Sequence, residues 1–342
     1  MSELELPRAR YLPWQQLQKE RLQQQITANR LPHALLFSGI KDIGKKDFAF
    51  AFGAQLLCTR PGGGSACNQC SSCHLLNAST HPDLRLVRPE ESKLIVIEQI
   101  RDLTEWVVQT AQQGGCKVCI LFPAEQMNVQ SANALLKCLE EPGPDTFFIL
   151  VTDQPGRLLP TVRSRCQRVE FQVPHEEEAI PWLQSCSDSD VDISLLLALA
   201  AGAPMKVVKQ FDGDYLNRRA RIMGATDGLI QGKVTAVAAA ASLLSKEYPV
   251  EIYDVLYGLF SDALKLTLSS SNNTLINKDM ESFINVISNK FSCTAMLLVI
   301  DCVNMCRRAV TGSSNPNPTL LLESLLIKLD ELASSEGSNN RV

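Results

Sequence analysis

The chain lacks any apolar run long enough to cross a membrane. Its longest candidate, residues 293–306, is interrupted by Asp301, whereas a membrane helix needs about 20 consecutive, largely apolar residues. The N-terminal stretch MSELELPRAR mixes acidic and basic side chains and has no apolar core of a signal peptide. We therefore expect a cytoplasmic protein.

Positive charge is not in excess either. The 33 lysines and arginines are outnumbered by 37 aspartates and glutamates, which gives a formal net charge of −4. Such a chain has no overall field that draws it onto nucleic acid, so any DNA contact must be local or shared with partner subunits. The composition, 45% hydrophobic and 20% charged, is that of a globular protein, and 342 residues predict two or three domains.

The chain holds twelve cysteines, and four of them, Cys58, Cys67, Cys70 and Cys73, follow the spacing C-x8-C-x2-C-x2-C. In a reducing compartment metal binding is favoured over disulfides. Four thiolates this close can surround one ion, and a closed four-sulfur site is structural because it leaves no position open for substrate. We favour one zinc per chain over an iron–sulfur cluster, which the same ligands also fit. The adjacent His74 is an alternative ligand.

The first half of the chain alternates short strand-like runs with amphipathic helical runs, which predicts an α/β fold with a parallel sheet covered by helices. The predicted strands are HALLF from His33, DLRLV from Asp83, KVCILF from Lys117, TFFILVT from Thr146 and RVEF from Arg168. Residues 96–111 and 131–141 predict helices with one apolar face. From about Val173 we expect helices only, up to a disordered tail at residues 334–342.

Residues 39–45 fit the phosphate-binding pattern G-x-x-x-x-G-K, with Gly39, Gly44 and Lys45 at its defining positions. The loop lies between a predicted strand and a predicted helix, where backbone N–H groups and Lys45 can meet phosphate oxygens. The next position should carry a hydroxyl that binds magnesium. It is Lys46, whose charge disfavours the metal.

A second part of a hydrolytic site is also missing. The strand KVCILF ends in Phe122 and Pro123, where a hydrolase of this class carries acids for the metal and the attacking water. We interpret Glu125 as an ordinary exposed loop residue, with a displaced catalytic acid as the alternative. We expect no ATP hydrolysis, while nucleotide binding without metal stays open.

Six segments together resemble the delta-prime subunits of the bacterial DNA polymerase III clamp loader, a branch of the AAA+ family. They are HALLFSG, the degenerate loop, the cysteine cluster, HPD at residues 81–83, NALLKCLEEP and LLPTVRSRC, which occur in this order up to residue 167. The resemblance implies an AAA+ ATPase-like domain over residues 1–167 with a zinc module at 58–73. It further implies a small helical lid domain over 168–212 and a helical collar domain over 213–342.

The resemblance also implies a role. Such a subunit does not hydrolyse ATP but assembles with subunits of the tau/gamma and delta types, in the complex that loads the sliding clamp onto primed DNA. Arg165 is implied to be an arginine finger that enters the ATP site of a neighbour, with Arg163 as the competing candidate. Without the resemblance, either arginine is an ordinary surface or salt-bridge residue. Met205 stands where active relatives carry a sensing arginine, and Thr152 is interpreted as a strand-end residue rather than a phosphate sensor.

Two other functions stay open. The chain is alternatively a self-sufficient ATPase in which Glu125 replaces the lost acids, or a zinc-stabilised protein that binds nucleic acid alone. The acidic balance and the scarcity of basic residues around the cysteines argue against the second alternative. Most of NALLKCLEEP is predicted to be core packing, with Lys137 and Glu140 in solvent.

Overall fold

The computed structural model describes residues 10–90, 92–113, 115–186, 192–211, 213–244, 249–268, 275–311 and 316–339. The chain divides into two compact units. The first comprises Met1–Asp188 with Gly202–Val208, and the second comprises Ser189–Ala201 with Lys209–Val342. The domain boundaries expected after residues 167 and 212 stay predictions. Among the described residues, no single helix has both the length and the apolar composition that a membrane crossing requires.

The first unit is built on a five-stranded sheet in the order β2-β3-β4-β1-β5, with every neighbouring pair parallel. The strands are β1 Ala34–Ser38, β2 Leu84–Val87, β3 Lys117–Leu121, β4 Thr146–Thr152 and β5 Gln167–Glu170. All five predicted strands are confirmed, with ends that differ by one residue at most. The carboxyl ends of β1, β3 and β4 lie side by side, so the segments that follow these strands meet at one edge of the sheet.

Helices cover both faces of the sheet in the first unit. The helices of this unit are α1 Gln16–Thr27, α2 Lys45–Leu57, α3 Ser71–Asn77, α4 Ile97–Val107, α5 Val129–Glu140, α6 Pro160–Arg163, α7 Glu176–Cys186 and α9 Pro204–Gln210, the last extending past the unit boundary. One face packs Phe37 against Phe48 and Phe52 of α2. The other buries the apolar sides of α4 and α5, as their periodicity predicts.

The described residues of the second unit form helices joined by turns and short irregular segments, with no strand among them. Its helices are α8 Ile193–Leu199, α10 Tyr215–Ile230, α11 Ala236–Leu243, α12 Pro249–Leu268, α13 Glu281–Lys290, α14 Cys293–Thr311 and α15 Pro318–Asn339. A continuous apolar core joins α10 to α15. The prediction of a disordered tail from residue 334 is wrong as far as Asn339, because α15 continues to that residue. Once a helix has formed, each further residue adds a backbone hydrogen bond, which favours its extension. Residues 340–342 lie outside the described residues.

The second unit also buries a polar network. Arg219, 1% exposed, forms an ion pair with Asp279 and donates a hydrogen bond of 2.7 Å to Asn277 Oδ1. Asn277 Nδ2 in turn donates to Asp262 Oδ2 at 2.8 Å, and Lys265 pairs with Asp262 Oδ1 at 3.0 Å. These contacts join α10 and α12 to the segment before α13, and they fix which polar groups of the bundle meet.

Candidate functional site

The four cysteines predicted to bind metal come together in the first unit. Their Sγ atoms, from Cys58, Cys67, Cys70 and Cys73, all lie within 4.8 Å of one another. Cys58 directly follows α2, and Cys70 caps the N-terminus of α3, so the ends of these two helices bring the cysteines together. Between them, Gly62 and Ser65 exchange backbone hydrogen bonds in a tight turn. His74 is exposed and outside this group, so four sulfurs form the donor set.

Backbone N–H groups point at the sulfurs, which favours the thiolate form that binds metal. Arg60 N and Cys67 N donate to Cys58 Sγ at 3.4 and 3.3 Å. A hydrogen bond from the Thr59 side chain, the strongest of several, lowers the pKa of the Cys70 thiol to about 5. Burial raises the pKa of the Cys73 thiol to about 12, an effect that a bound cation reverses because it deprotonates a coordinating thiol. The residues fit a tetrahedral metal site.

A buried hydrogen-bond relay supports the cysteine module from the HPD segment. Ser72 Oγ donates to the Leu57 carbonyl at 2.6 Å and lies 2.9 Å from His81 Nε2, while Asp83 N donates to His81 Nδ1 at 3.1 Å. The imidazole is therefore neutral and carries its proton on Nε2. The HPD motif was the available sequence signal, but the spacing of residues 81–83 alone did not predict the contact with Ser72.

The predicted phosphate loop follows β1, and its cation already has partners. Gly44 caps α2 in the left-handed conformation, φ +86°, and Lys45 is the first residue of that helix. Lys45 Nζ lies 2.7 Å from Asp153 Oδ1, donates to the carbonyl of Ile40, and its side chain is 2% exposed. Asp153 directly follows β4, the neighbour of β1 in the sheet. Lys45 is thus neutralised within the chain.

Several groups brace the backbone of this loop. A Cβ on Gly39 would lie 2.4 Å from the Phe171 carbonyl oxygen, so no side chain fits there. Gln15 Nε2 donates to the Gly44 carbonyl at 2.8 Å, and Met205 N donates to the Asp42 carbonyl at 3.1 Å. Met205 therefore contacts the loop through its backbone.

The two positions that depart from the hydrolase pattern contact each other. Lys46 Nζ lies 4.4 Å from the centroid of the Phe122 ring, in a cation–π arrangement. Lys46 occupies the place of the metal-binding hydroxyl after β1, and Phe122 occupies the place of an acid at the end of β3, from which β1 is separated by β4. A cation over an aromatic face therefore lies where a magnesium ion and its ligands would be needed.

The interpretation of Glu125 as an exposed loop residue is wrong. Glu125 is half-buried in a short 3₁₀ helix after β3, and its Oε1 accepts a hydrogen bond of 3.2 Å from Asp153 N. Its Oε2 is buried without a hydrogen-bond partner in the described part of the chain. The segment after β4 draws Glu125 inward because the carboxyl ends of β3 and β4 are adjacent. Thr152 ends β4 and accepts from Gln154 N at 3.1 Å, as a strand-end threonine does.

Arg165 follows α6, and all three nitrogens of its guanidinium have contacts. Nε donates to Glu140 Oε1 at 2.8 Å, Nη2 lies 2.5 Å from the same oxygen, and Nη1 donates to the Thr161 carbonyl at 3.0 Å. The side chain is 35% exposed. Arg163, the competing candidate, is exposed and donates to the Pro155 carbonyl at 3.3 Å. Sequence reasoning did not find the partner of Arg165, because Glu140 was expected in solvent.

The fold and the site together define one class of protein. In this class a parallel α/β unit has a phosphate-type loop whose lysine is internally paired, carries a cysteine-rich insertion and is followed in the chain by a helical unit. Residues 14–175 match the family described as "DNA polymerase III, delta subunit", and residues 214–331 match "DNA polymerase III, delta subunit, C terminal".

Curated relatives carry one common name, "DNA polymerase III subunit delta'". The protein of Pseudomonas aeruginosa is 38% identical over 299 residues, which cover 86% of this chain and 91% of the relative. The Escherichia coli protein is 32% identical over 94% of this chain and 96% of its own length. The Bacillus subtilis protein is 30% identical over 90% of this chain and 93% of its own. The chain belongs to the family of DNA polymerase III delta-prime subunits.

Proposed function

We propose that this chain is the ATPase-inactive subunit of a DNA polymerase III clamp loader, which assists ATP-dependent loading of the sliding clamp onto primed DNA. In this proposal it hydrolyses no ATP itself and supplies Arg165 in trans to the ATP site of a neighbouring subunit. Membership of the family supports the place in the complex. One observation carries the inactivity: Lys45, the cation of the phosphate loop, is paired with Asp153 inside the chain.

The physical case for inactivity combines charge and geometry. To bind a triphosphate, Lys45 must first separate from the Asp153 carboxylate, which lies 2.7 Å from its Nζ atom. A second carboxylate, Glu125, lies beside Asp153, and both acids repel phosphate oxygens. Lys46 over Phe122 opposes a magnesium ion at the position where hydrolysis needs one. Together these contacts disfavour both the nucleotide and its metal.

The proposed partners are clamp-loader subunits of the tau/gamma and delta types, with the sliding clamp and primed DNA contacted through the complex. The net charge of −4 supports a shared rather than an independent DNA contact, since affinity for phosphate backbones requires clustered lysines and arginines. We extend the proposal to the division into an AAA+ ATPase-like domain over 1–167, a lid over 168–212 and a collar over 213–342. The helical second unit supports the collar.

We further propose one structural zinc ion bound by the four clustered cysteines. The support is the grouping of their Sγ atoms within 4.8 Å and the N–H groups directed at them. The ion would cross-link the end of α2 to α3, with no open position for chemistry. Elemental analysis of the purified chain should give about one zinc atom per polypeptide. Wild-type metal content in a Cys67→Ser, Cys70→Ser variant would contradict the assignment.

The proposed finger is Arg165 because it protrudes from a rigid base. Val162 and Cys166, on either side of it, are buried in the core of the first unit, while the guanidinium is partly exposed. A planar cation fixed beside a transferring phosphoryl group stabilises the charge that develops there. Such an arginine is worth about 10³–10⁵ in rate, or about 4–7 kcal/mol of activation free energy.

The finger is tested in the reconstituted clamp loader. We expect Arg165→Ala to assemble normally in size-exclusion chromatography but to lower clamp- and DNA-stimulated ATP turnover at least about tenfold. Arg163→Ala is the matched control, since it removes an equal charge two residues away and should keep most of the activity. Undiminished stimulated turnover with Arg165→Ala would refute the assignment.

A self-sufficient ATPase is the second candidate, favoured by one observation. Glu125 has a buried Oε2 without a hydrogen-bond partner in the described part of the chain, and it lies near Lys45 through Asp153. The discriminating measurement is magnesium-dependent phosphate release by the isolated chain. Turnover that disappears with Lys45→Ala would establish this candidate in place of the inactive subunit.

A further inference from the structure

The acidic partner of Arg165 comes from a different element of the first unit. Glu140 is the last residue of α5, and its side chain reaches the guanidinium across 25 positions of sequence. Glu140 and Arg165 both have chain neighbours that are buried in the core. Cys138 and Leu139 lie in the same core cluster as Val162. The two backbones are thus held by common packing while both charged side chains extend from it.

The geometry leaves part of the guanidinium available. An arginine has five N–H groups in one rigid plane. Glu140 occupies the edge formed by Nε and Nη2, and the Thr161 carbonyl takes one N–H of Nη1. One further N–H of Nη1 and one of Nη2 have no partner among the residues that the structure describes. Guanidinium N–H groups of this kind donate to phosphate oxygens.

Folding stability does not account for this ion pair. Glu140 is 51% and Arg165 35% exposed, and ion pairs in contact with water contribute little to stability because solvent screens them. The contact does restrict a long side chain with many rotamers. A cation that is oriented before the neighbour's nucleotide arrives loses less freedom in the transition state, so more of its interaction energy lowers the barrier.

We propose that Glu140 is a positioning residue that orients the Arg165 guanidinium toward the ATP site of the adjacent subunit. This inference rests on the proposed function of Arg165. Glu140 itself touches no nucleotide and acts through the arginine. The opposite role is a counterion that holds Arg165 away from the neighbour, and that role predicts faster turnover when the carboxylate is removed.

The test uses the complete reconstituted clamp loader and measures kcat and KM for ATP with clamp and primed DNA present. We expect Glu140→Ala to lower kcat about tenfold with KM changed less than about twofold, because the finger acts in the transition state. Glu140→Gln keeps the length and one acceptor oxygen, so its loss should be smaller, about threefold. Glu141→Gln, at the exposed neighbouring acid, is the control and should match the wild type.

The double variant separates positioning from a general structural effect. In an Arg165→Ala background, adding Glu140→Ala should change kcat less than about twofold, because the residue it positions is absent. Melting curves and size-exclusion profiles should match the wild type throughout.

Two results would overturn the role of Glu140 but leave Arg165 as the finger. One is a wild-type or higher kcat with Glu140→Ala while Arg165→Ala lowers kcat. The other is the same loss of kcat, about tenfold, when Glu140→Ala is added to Arg165→Ala. Wild-type turnover with Arg165→Ala would instead refute the finger and this inference together.

Discussion

Replacement of Asp153 by asparagine removes the carboxylate that lies 2.7 Å from Lys45 Nζ. At an effective dielectric constant of about 20, such a pair attracts by roughly 6 kcal/mol, much of it offset by the desolvation of both charges. Removing one partner of a buried pair costs about 3–5 kcal/mol, because the other charge stays buried. Asp153 is 26% exposed, so water compensates in part. We expect Asp153→Asn to lower the free energy of unfolding of the first unit by about 3 kcal/mol.

Tryptophan fluorescence isolates this unit. The chain has three tryptophans, Trp14, Trp106 and Trp182, and all three lie in the first unit. Urea titrations followed by their emission therefore report the unfolding of the first unit even if the second unfolds separately. Asp102→Asn is the matched control, since Asp102 is exposed on α4 and its loss changes the net charge equally. We expect it to shift stability by less than about 0.5 kcal/mol.

The same titrations test the role of the pair at the phosphate loop. In Asp153→Asn an anion can take the place of the lost carboxylate beside Lys45. Inorganic phosphate or magnesium-free ATP should then stabilise the variant by about 1.4 kcal/mol at ten times its dissociation constant, and should leave the wild type unchanged. Equal stability of variant and wild type, or equal stabilisation of both by ATP, would refute the reasoning.

Three further predictions concern other contacts. His81→Ala removes the buried hydrogen bonds between the HPD segment and the cysteine module, so the free energy of unfolding of the first unit should fall by about 1–3 kcal/mol. The rate of zinc transfer to a coloured chelator should rise, and an unchanged rate would contradict a supporting role for these hydrogen bonds. Lys46→Thr restores a metal-binding hydroxyl but leaves Phe122 in place of an acid, so phosphate-release assays of the isolated chain should still detect no magnesium-dependent turnover. Arg219→Ala leaves buried acceptors unpaired in the second unit, so the free energy of unfolding of that unit, followed by circular dichroism, should fall by about 3–5 kcal/mol. The unfolding midpoint of the first unit, followed by tryptophan emission, should stay at its wild-type value.

The sequence alone predicted the strands closely because their apolar runs are short and bounded by polar turns. TFFILVT predicted β4 Thr146–Thr152 with both ends correct. The four cysteines were also predictable, since their spacing restricts them to a small loop. The tail was not, because serine, glycine and asparagine between residues 334 and 339 suggested disorder where α15 continues.

The contacts that give the site its character were beyond sequence reasoning. Lys45 and Asp153 lie far apart in the chain and meet only because β1 and β4 are neighbours. Glu125 was misjudged for the same reason, since its burial depends on the segment after β4. Periodicity describes one element at a time, whereas these pairings depend on which strand ends share an edge of the sheet.

The contact between Lys46 and Phe122 limits what a single substitution can restore. A threonine at position 46 alone leaves an aromatic ring without its cation, and an aspartate at position 122 alone meets an ammonium group and forms an ion pair instead of a metal site. A magnesium site between these positions therefore requires changes at both of them together. Under the proposed function, one substitution at a time therefore gives this loop no route to a metal-bound nucleotide.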